Sequence, residues 1–224
     1  MKTKTKAGLI VSLSTIVLGI GMITAAMASG GWSLKGLFSD NRVKRVVGVD
    51  KPYTSVVVNT TVDSVAVDYS VDNKETWIEL YDDEKYPYDV HVSDDTLYIY
   101  PKEENFYVNE IISVGVSGRN VVVHIGGGEY DIVNVRTGIG NIDIKGSMFI
   151  NELITKTGIG DINVGKDIVP KSLRAQAGIG SIFVPKAEGL TELKTGIGNI
   201  HTPSYKERRG DVKIDAGIGK VYGN

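Results

Sequence analysis

The residue types that could do chemistry recur around the tripeptide Gly-Ile-Gly, which occurs five times in the second half of the chain. Glycine-rich loops followed by carboxylates occur in nucleotide sites and in calcium-binding repeats. A nucleotide loop must be followed by a helix, whereas strand-like segments follow here. Calcium is disfavoured because the polar residue after the tripeptide varies and includes serine and lysine. In order, these residues are Asn141, Asp161, Ser181, Asn199 and Lys220. We therefore interpret them as corner residues that hydrogen-bond their own backbone, and expect neither metal nor cofactor.

Histidines and paired acids are the other candidates for catalysis or metal binding. The three histidines, His91, His124 and His201, fall in separate segments without a second ligand at metal spacing. The acidic pairs at 82–83, 94–95 and 103–104 lie in turn-like segments, where carboxylates are well solvated. The chain has no cysteine, which excludes thiol catalysis, disulfides and zinc–thiolate sites. We expect no catalytic residues and predict that the protein is not an enzyme.

A third candidate is the tyrosine-rich segment 46–110, which carries four basic and fifteen acidic residues. Its aromatic residues are Tyr53, Tyr69, Trp77, Tyr81, Tyr86, Tyr88, Tyr98, Tyr100 and Tyr107. They could form a surface for a sugar or a protein, but tyrosine is also an ordinary strand residue, so both interpretations stay open. The acidity argues against a nucleic-acid partner, which requires a concentrated basic face.

The elements that position the repeated tripeptides are predicted to be strands. The copies recur at intervals of 20, 20, 18 and 21 residues, which indicates one supersecondary unit stacked on itself. We predict an all-β fold: a parallel β-solenoid-like stack of about 20-residue repeats over about 131–224, preceded by antiparallel or mixed strands. The predicted repeat corners are Gly138, Ile139, Gly140, Gly158, Ile159, Gly160, Gly178, Ile179, Gly180, Gly196, Ile197, Gly198, Gly217, Ile218 and Gly219.

Side-chain parity predicts which residues of a repeat point inward. Val133, Val135, Thr137 and Ile139 share one parity, and Ile142 begins the next inward set after a three-residue step. Two glycines allow the bend that such a step requires. On this pattern the isoleucines of the five tripeptides form one internal column.

The N-terminus carries a predicted membrane segment. Residues 1–6 read MKTKTK, and 7–28 then run without a charge, which is long enough for a transmembrane helix through the lipid bilayer. The flanking lysines place the N-terminus in the cytoplasm and the remainder outside the cell membrane. A cleaved signal peptide stays open, because Ala26-Met27-Ala28 fits a cleavage site. The predicted organisation is an anchor or signal segment at 1–28, a linker at 29–45 and an extracytoplasmic β-strand-repeat domain at 46–224.

Three segments carry a family resemblance: YTSVVVNTTVDSVAVDYS (53–70), DDTLYIYPKEE (94–104) and EYDIVNVRTGIGNIDI (129–144) with its repeats. Over 53–224 the chain resembles the bacterial putative-adhesin family of β-strand-repeat proteins, a domain of unknown function. The resemblance implies an all-β solenoid-like domain held at the cell envelope and brings no catalytic residue with it. Members more often have Gly-Ser-Gly where this chain has Gly-Ile-Gly, so the corner is more apolar here.

The expected function is a membrane-anchored structural or interaction module of the cell envelope, an adhesin, with a link to envelope stress as a further expectation. Two alternatives from other classes stay open. A secreted β-helix-type polysaccharide-active enzyme would need an acidic cluster on one face of the stack, and a calcium-dependent adhesive module would melt differently with a chelator. The partner, an envelope protein or a polysaccharide, is not determined by the sequence.

Overall fold

A computed structural model describes residues 43–69, 75–82, 87–102, 120–126, 128–185, 187–203 and 211–223. All of them belong to one compact unit, Asp40–Asn224, and every regular element among them is a β-strand. None of these residues lies in a helix that could span a bilayer. The predicted membrane segment at 7–28 lies outside the described residues. The first strand begins at Val43, within the segment 29–45 that the sequence assigns to a linker.

Seventeen strands account for the regular structure of the described residues. They are β1 Val43–Val49, β2 Ser55–Thr60, β3 Ser64–Tyr69, β4 Thr76–Asp82, β5 Tyr88–Ser93, β6 Thr96–Pro101, β7 Asn120–Ile125, β8 Glu129–Ile139, β9 Ile142–Lys145, β10 Phe149–Ile159, β11 Ile162–Val164, β12 Ser172–Ile179, β13 Ile182–Phe183, β14 Thr191–Ile197, β15 Ile200–Thr202, β16 Val212–Ile218 and β17 Val221–Gly223.

Two sheets face each other across one core. The nine-stranded sheet has the order β1-β4-β7-β3-β9-β11-β13-β15-β17, and the eight-stranded sheet has the order β16-β14-β12-β10-β8-β2-β6-β5. From β2 onward, consecutive strands such as β8 and β9 contribute one strand to each sheet, and we call such a pair a level. Apart from the level β4–β5, successive levels stack through parallel pairing, as β10 with β12 and β9 with β11, so the predicted parallel solenoid-like stack is confirmed.

The parallel stack begins earlier in the chain than predicted. β2 pairs in parallel with both β6 and β8, and β3 pairs in parallel with both β7 and β9. Among the described strands, the antiparallel pairs are β1–β4, β4–β7 and β5–β6. The level β2–β3 therefore lies between β6–β7 and β8–β9, out of chain order. Burial alternates along β2, with Val56 and Val58 inward, but such alternation does not specify which neighbour the strand pairs with.

The core consists of side-chain columns that run through the levels. On the nine-stranded sheet Ile142, Ile162, Ile182 and Ile200 are in register and each has an exposed fraction of 0%. On the eight-stranded sheet Val133, Leu153 and Leu173 form a similar column at 0%. Each fully buried side chain of this size contributes roughly 1.5–3 kcal/mol relative to an exposed one, which makes these columns the main source of stability.

The predicted internal column of tripeptide isoleucines is wrong. Ile159, Ile179 and Ile197 are exposed by 49%, 48% and 47%, and Ile218 is exposed by 70%. The last inward residue before the corner is a threonine or alanine, such as Thr157, and the first after it is Ile162. The chain turns between these two residues, and the side chain at the apex of the turn lies on its outer side. Parity counting fails because it assumes that the strand stays extended through the glycines.

Candidate functional site

Each Gly-Ile-Gly corner is built from a pair of glycines that stack closely on the backbone of the neighbouring level, which from the second tripeptide onward is again a pair of glycines. The second glycine of four tripeptides, at 140, 160, 180 and 198, has φ between +146° and +148°, which L side chains rarely adopt. The first glycine has no such φ, but a Cβ on Gly158 would overlap the backbone carbonyl of Gly138. Both positions therefore require glycine, one for backbone conformation and close approach and the other for close approach alone.

A buried threonine hydroxyl supports three of the corners from inside. Thr157 Oγ1 donates to the carbonyl of Gly140 at 2.9 Å, and Thr195 Oγ1 donates to the carbonyl of Gly180 at 2.8 Å. At the first Gly-Ile-Gly level, Thr137 Oγ1 donates to the carbonyl of Asp63 at 2.9 Å. These bonds satisfy carbonyls that the corner removes from the sheet ladder.

A matched pair of threonines tests this support. Thr155 lies two residues before Thr157 and is equally buried at 1%, but its Oγ1 has no hydrogen-bond partner among the described residues. We expect Thr155→Val to raise the free energy of unfolding by up to about 1 kcal/mol, because it removes an unsatisfied hydroxyl. Thr157→Val should lower it by about 1 kcal/mol or more, since the carbonyl of Gly140 loses its donor. Urea denaturation of the unit 40–224 measures both, and equal losses would contradict the assignment.

The polar residues after the tripeptides form a ladder between levels. The backbone N–H of Asp161 donates to Asn141 Oδ1 at 2.8 Å, and that of Ser181 donates to Asp161 Oδ1 at 2.7 Å. The N–H of Lys220 in turn donates to Asn199 Oδ1 at 3.0 Å. These side chains therefore bond the backbone of the next level and not, as was predicted from the sequence, their own backbone. The ladder ends at Lys220, whose side chain cannot accept a hydrogen bond.

The five tripeptide isoleucines form the corner ridge, defined as Ile139, Ile159, Ile179, Ile197 and Ile218. They are in register along the stack through the pairs β8–β10, β10–β12, β12–β14 and β14–β16. With strands about 4.8 Å apart, the ridge is roughly 19 Å long. In the level β2–β3 the corner is Thr61-Val62-Asp63, and Val62 is buried at 2%; Ile139 is half-buried, so the exposed part of the column starts at Ile159.

Polar and aromatic columns flank the corner ridge. On the eight-stranded sheet, three residues before each isoleucine, a mainly basic exposed column contains Arg136, Lys156, Gln176, Lys194 and Asp215. On the nine-stranded sheet, His201 stacks between Phe183 and Tyr222, with ring centroids 4.4 and 4.6 Å apart. Both faces of the His201 ring and one face of each neighbouring ring are thus covered. The ridge is therefore an apolar strip between a charged column and a short aromatic stack.

The remaining chemical candidates are dispersed. His124 stacks on Trp77 at 4.4 Å, and His91 lies 3.1 Å from Asp89. Asp94 and Asp95 have φ of +48° and +56° and form the tight turn between β5 and β6. Within the described ranges, no three histidine or acidic side chains converge as metal ligands would. The acidic pair at 103–104 lies outside the described residues.

The tyrosines do not share one surface. Tyr88 is buried and donates to Asp63 Oδ2 at 2.6 Å, and Tyr130 is buried and donates to the carbonyl of Gly126 at 2.6 Å. The pKa of Tyr130 is raised above its usual range, mainly by burial and to a smaller extent by the neighbouring Tyr53. The stability that Tyr130 contributes is complete below about pH 10 and declines above it, because the folded state disfavours the tyrosinate. Tyr81, in contrast, is exposed by 38%; Tyr86 and Tyr107 lie outside the described residues.

The columns that flank the corner ridge were not predicted from the sequence. Arg136, Lys156 and Lys194 precede the isoleucines of their tripeptides by the same number of residues, and that fixed spacing was the available signal. The aromatic stack has a weaker signal, because Phe183, His201 and Tyr222 each follow a tripeptide by three residues but differ in type.

Comparison with known proteins places this geometry in a family. The profile of the Toastrack family DUF4097 matches residues 53–218. A putative cell adhesion protein from Clostridium sporogenes shares the fold at 14% identity with a TM-score of 0.51, over 81% of this chain and 98% of that one. A putative adhesin from Bacteroides fragilis has 15% identity and a TM-score of 0.43, over 84% of this chain and 99% of that one. No curated protein matches the chain.

Proposed function

The chain belongs to the Toastrack family DUF4097, as its sequence resemblance predicted, and from this premise we propose that it is an adhesin-type interaction module of the cell envelope. Its contact surface is the corner ridge, and its partner is an envelope protein with an apolar groove. The finer part of the proposal is that residues 7–28 hold the domain at the membrane with the repeats outside. We also propose that the module is associated with envelope stress.

The exposed isoleucine column carries the proposal. Four of the five ridge residues are exposed by 47% to 70%, and all five are aligned on one edge of the stack. The inward columns do not use them, so their apolar character is not explained by the core. Contiguous apolar patches on a soluble domain, especially those with polar rims, mark interaction sites. Isoleucine offers contact area but no proton-transfer group or nucleophile, which favours binding over catalysis.

A protein partner suits the ridge better than a polysaccharide does. Sugars are bound by hydrogen-bonding groups and by open aromatic faces, whereas the ridge has only aliphatic side chains. The neighbouring rings of Phe183, His201 and Tyr222 are stacked on one another, so most of their faces are already covered. An apolar groove with acidic residues along one side would match both the ridge and the basic column beside it.

The test uses whole cells that carry the full chain. We expect Ile159→Ser, Ile179→Ser and Ile197→Ser together to reduce attachment to surfaces coated with envelope proteins from the same cells at least fivefold. The matched control replaces three exposed apolar residues elsewhere, Ile132, Phe149 and Val169, which are exposed by 37%, 73% and 42%. This control should attach within twofold of the unchanged protein.

Two outcomes would remove parts of the proposal. Equal attachment by the ridge variant and the unchanged protein would exclude the ridge as the contact surface. Equal losses in both triple variants would indicate unspecific hydrophobic adhesion.

In the same cells, freed of any outer barrier, external protease should digest the repeat domain and leave residues 1–6 protected. Protection of the repeat domain would contradict the proposed orientation, in which residues 1–6 lie in the cytoplasm and the repeats outside.

A further inference from the structure

The last level of the stack, β16–β17, leaves inward-facing residues partly open. Leu193 in β14 is exposed by 1%, but its neighbour Ile214 in β16 is half-buried. Ile200 in β15 is exposed by 0%, whereas its neighbour Val221 in β17 is exposed by 40%. All four residues are aliphatic, so the difference arises because no further described level covers this end.

The backbone at this end is also open. β16 and β17 are the outer strands of their sheets, and no described strand pairs with their free edges. Such an edge is a template for pairing with another strand. The exposed Ile218 and Tyr222, at 70% and 43%, add apolar area beside it.

The sequence of β16 is self-complementary around Ile214. Lys213 and Asp215 are both exposed and lie on either side of it on the outer face, while Val212 and Ala216 are next on the inner face. In an antiparallel pair of two β16 strands centred on Ile214, Lys213 of each copy lies opposite Asp215 of the other copy. Opposite charges directly across such a pair are favourable, and Val212 then meets Ala216.

From this edge, its open core and its charge pattern we propose that two copies of the chain pair end to end through β16, around a two-fold axis at Ile214. Each copy covers the open last level of the other, and the interface is isologous and therefore closed. Because a two-fold axis reverses the strand direction, the two corner ridges lie on opposite edges of the dimer and stay open. The pairing is independent of the adhesive function proposed above.

The absence of native cysteine permits a direct test in membranes that contain the full chain. A single Ile214→Cys substitution places one thiol on the two-fold axis, where the two Cα atoms of an antiparallel pair lie about 4.5–5.5 Å apart, within disulfide range. We expect mild oxidation with copper-phenanthroline to yield a disulfide-linked dimer. Leu193→Cys, one level deeper in each copy, is the control. Its two Cα atoms would be roughly 14 Å apart, too far for a disulfide.

A charge-swap series keeps the test decisive if Ile214→Cys fails to fold. Lys213→Asp alone, or Asp215→Lys alone, places like charges across the axis and should weaken dimerisation of the full chain on the order of tenfold. The double variant restores opposite charges between copies and should restore the dimer. Within one chain the double variant places like charges side by side, because residue 213 is in register with Glu192 and residue 215 with Lys194. A dimer regained in the double variant is therefore due to charges between copies and not to charges within one copy.

The outcomes separate the alternatives. A dimer that is lost in each single variant and regained in the double variant, measured by light scattering of the detergent-solubilised full chain, supports the pairing. A monomer at every concentration would overturn it and assign Lys213 and Asp215 to protecting the edge. Open-ended growth, with no disulfide formed by the Ile214→Cys variant, would also overturn it, in favour of head-to-tail contact between β16 and β5 of the next copy.

Discussion

Gly160→Ala is expected to lower the free energy of unfolding by more than about 4 kcal/mol, enough to unfold a marginally stable domain. Gly160 has φ of +146°, and a Cβ at this position would overlap the carbonyl of Gly140 in the level beside it. That carbonyl already accepts from Thr157 Oγ1, so it cannot move without breaking the bond. Because levels depend on their neighbours, the loss should extend to those beyond β10.

Two further glycines serve as controls for Gly160→Ala. Gly48→Ala adds a Cβ with no atom within 4 Å and should change the stability by less than about 0.5 kcal/mol. Gly158→Ala meets the carbonyl of Gly138 but has no positive φ, so it measures the steric part alone. Thermal unfolding of the unit 40–224 compares the three variants. If Gly160→Ala melted at about the same temperature as Gly48→Ala, the glycines would not be required by the stacking.

Much of the fold follows from the sequence because a period of about 20 residues with alternating side chains predicts one arrangement, a stack of levels that buries every second side chain. The repeated tripeptides locate the corners of five levels, and Val133 and Val135 point inward as their parity predicts. The stack was underestimated in its first half because β2 and β6 carry no tripeptide. β2 pairs in parallel with residues of β8 that lie 77 positions later in the chain, as Ser55 with Ile132, and the local pattern contains no information on such pairings.

The candidate site illustrates a different limit. Parity placed Ile139 inward, but the turn through two glycines sets the apex side chain outside, and only backbone coordinates show where the turn occurs. Hydrophobicity alone was not informative, because Ile139 and Ile142 are identical in type and differ in environment. The repeated polar position from Asn141 to Lys220 was likewise recognised in the sequence, but its hydrogen bonds between levels were not predicted. Their donors and acceptors lie about 20 residues apart in the chain.

Ile162→Ser and Ile159→Ser make the same chemical change three residues apart and are expected to differ by at least about 3 kcal/mol. Ile162 is exposed by 0% and lies between Ile142 and Ile182 in an inward column. Its replacement leaves a cavity and buries a hydroxyl, which together cost about 4 kcal/mol or more. Ile159 is exposed by 49% on the corner ridge, so its replacement should cost less than about 1 kcal/mol.

Denaturant unfolding of the unit 40–224 decides between the internal column and the exposed ridge. Similar large losses in both variants would mean that Ile159 is part of the core, as side-chain parity alone predicts. Similar small losses would mean that Ile162 is not buried and would refute the two-sheet core. The expected result, a large loss for Ile162→Ser only, leaves the ridge free to change without loss of the fold. Under that condition, reduced attachment by the ridge triple variant reports on the contact surface, because the stack that presents it is intact.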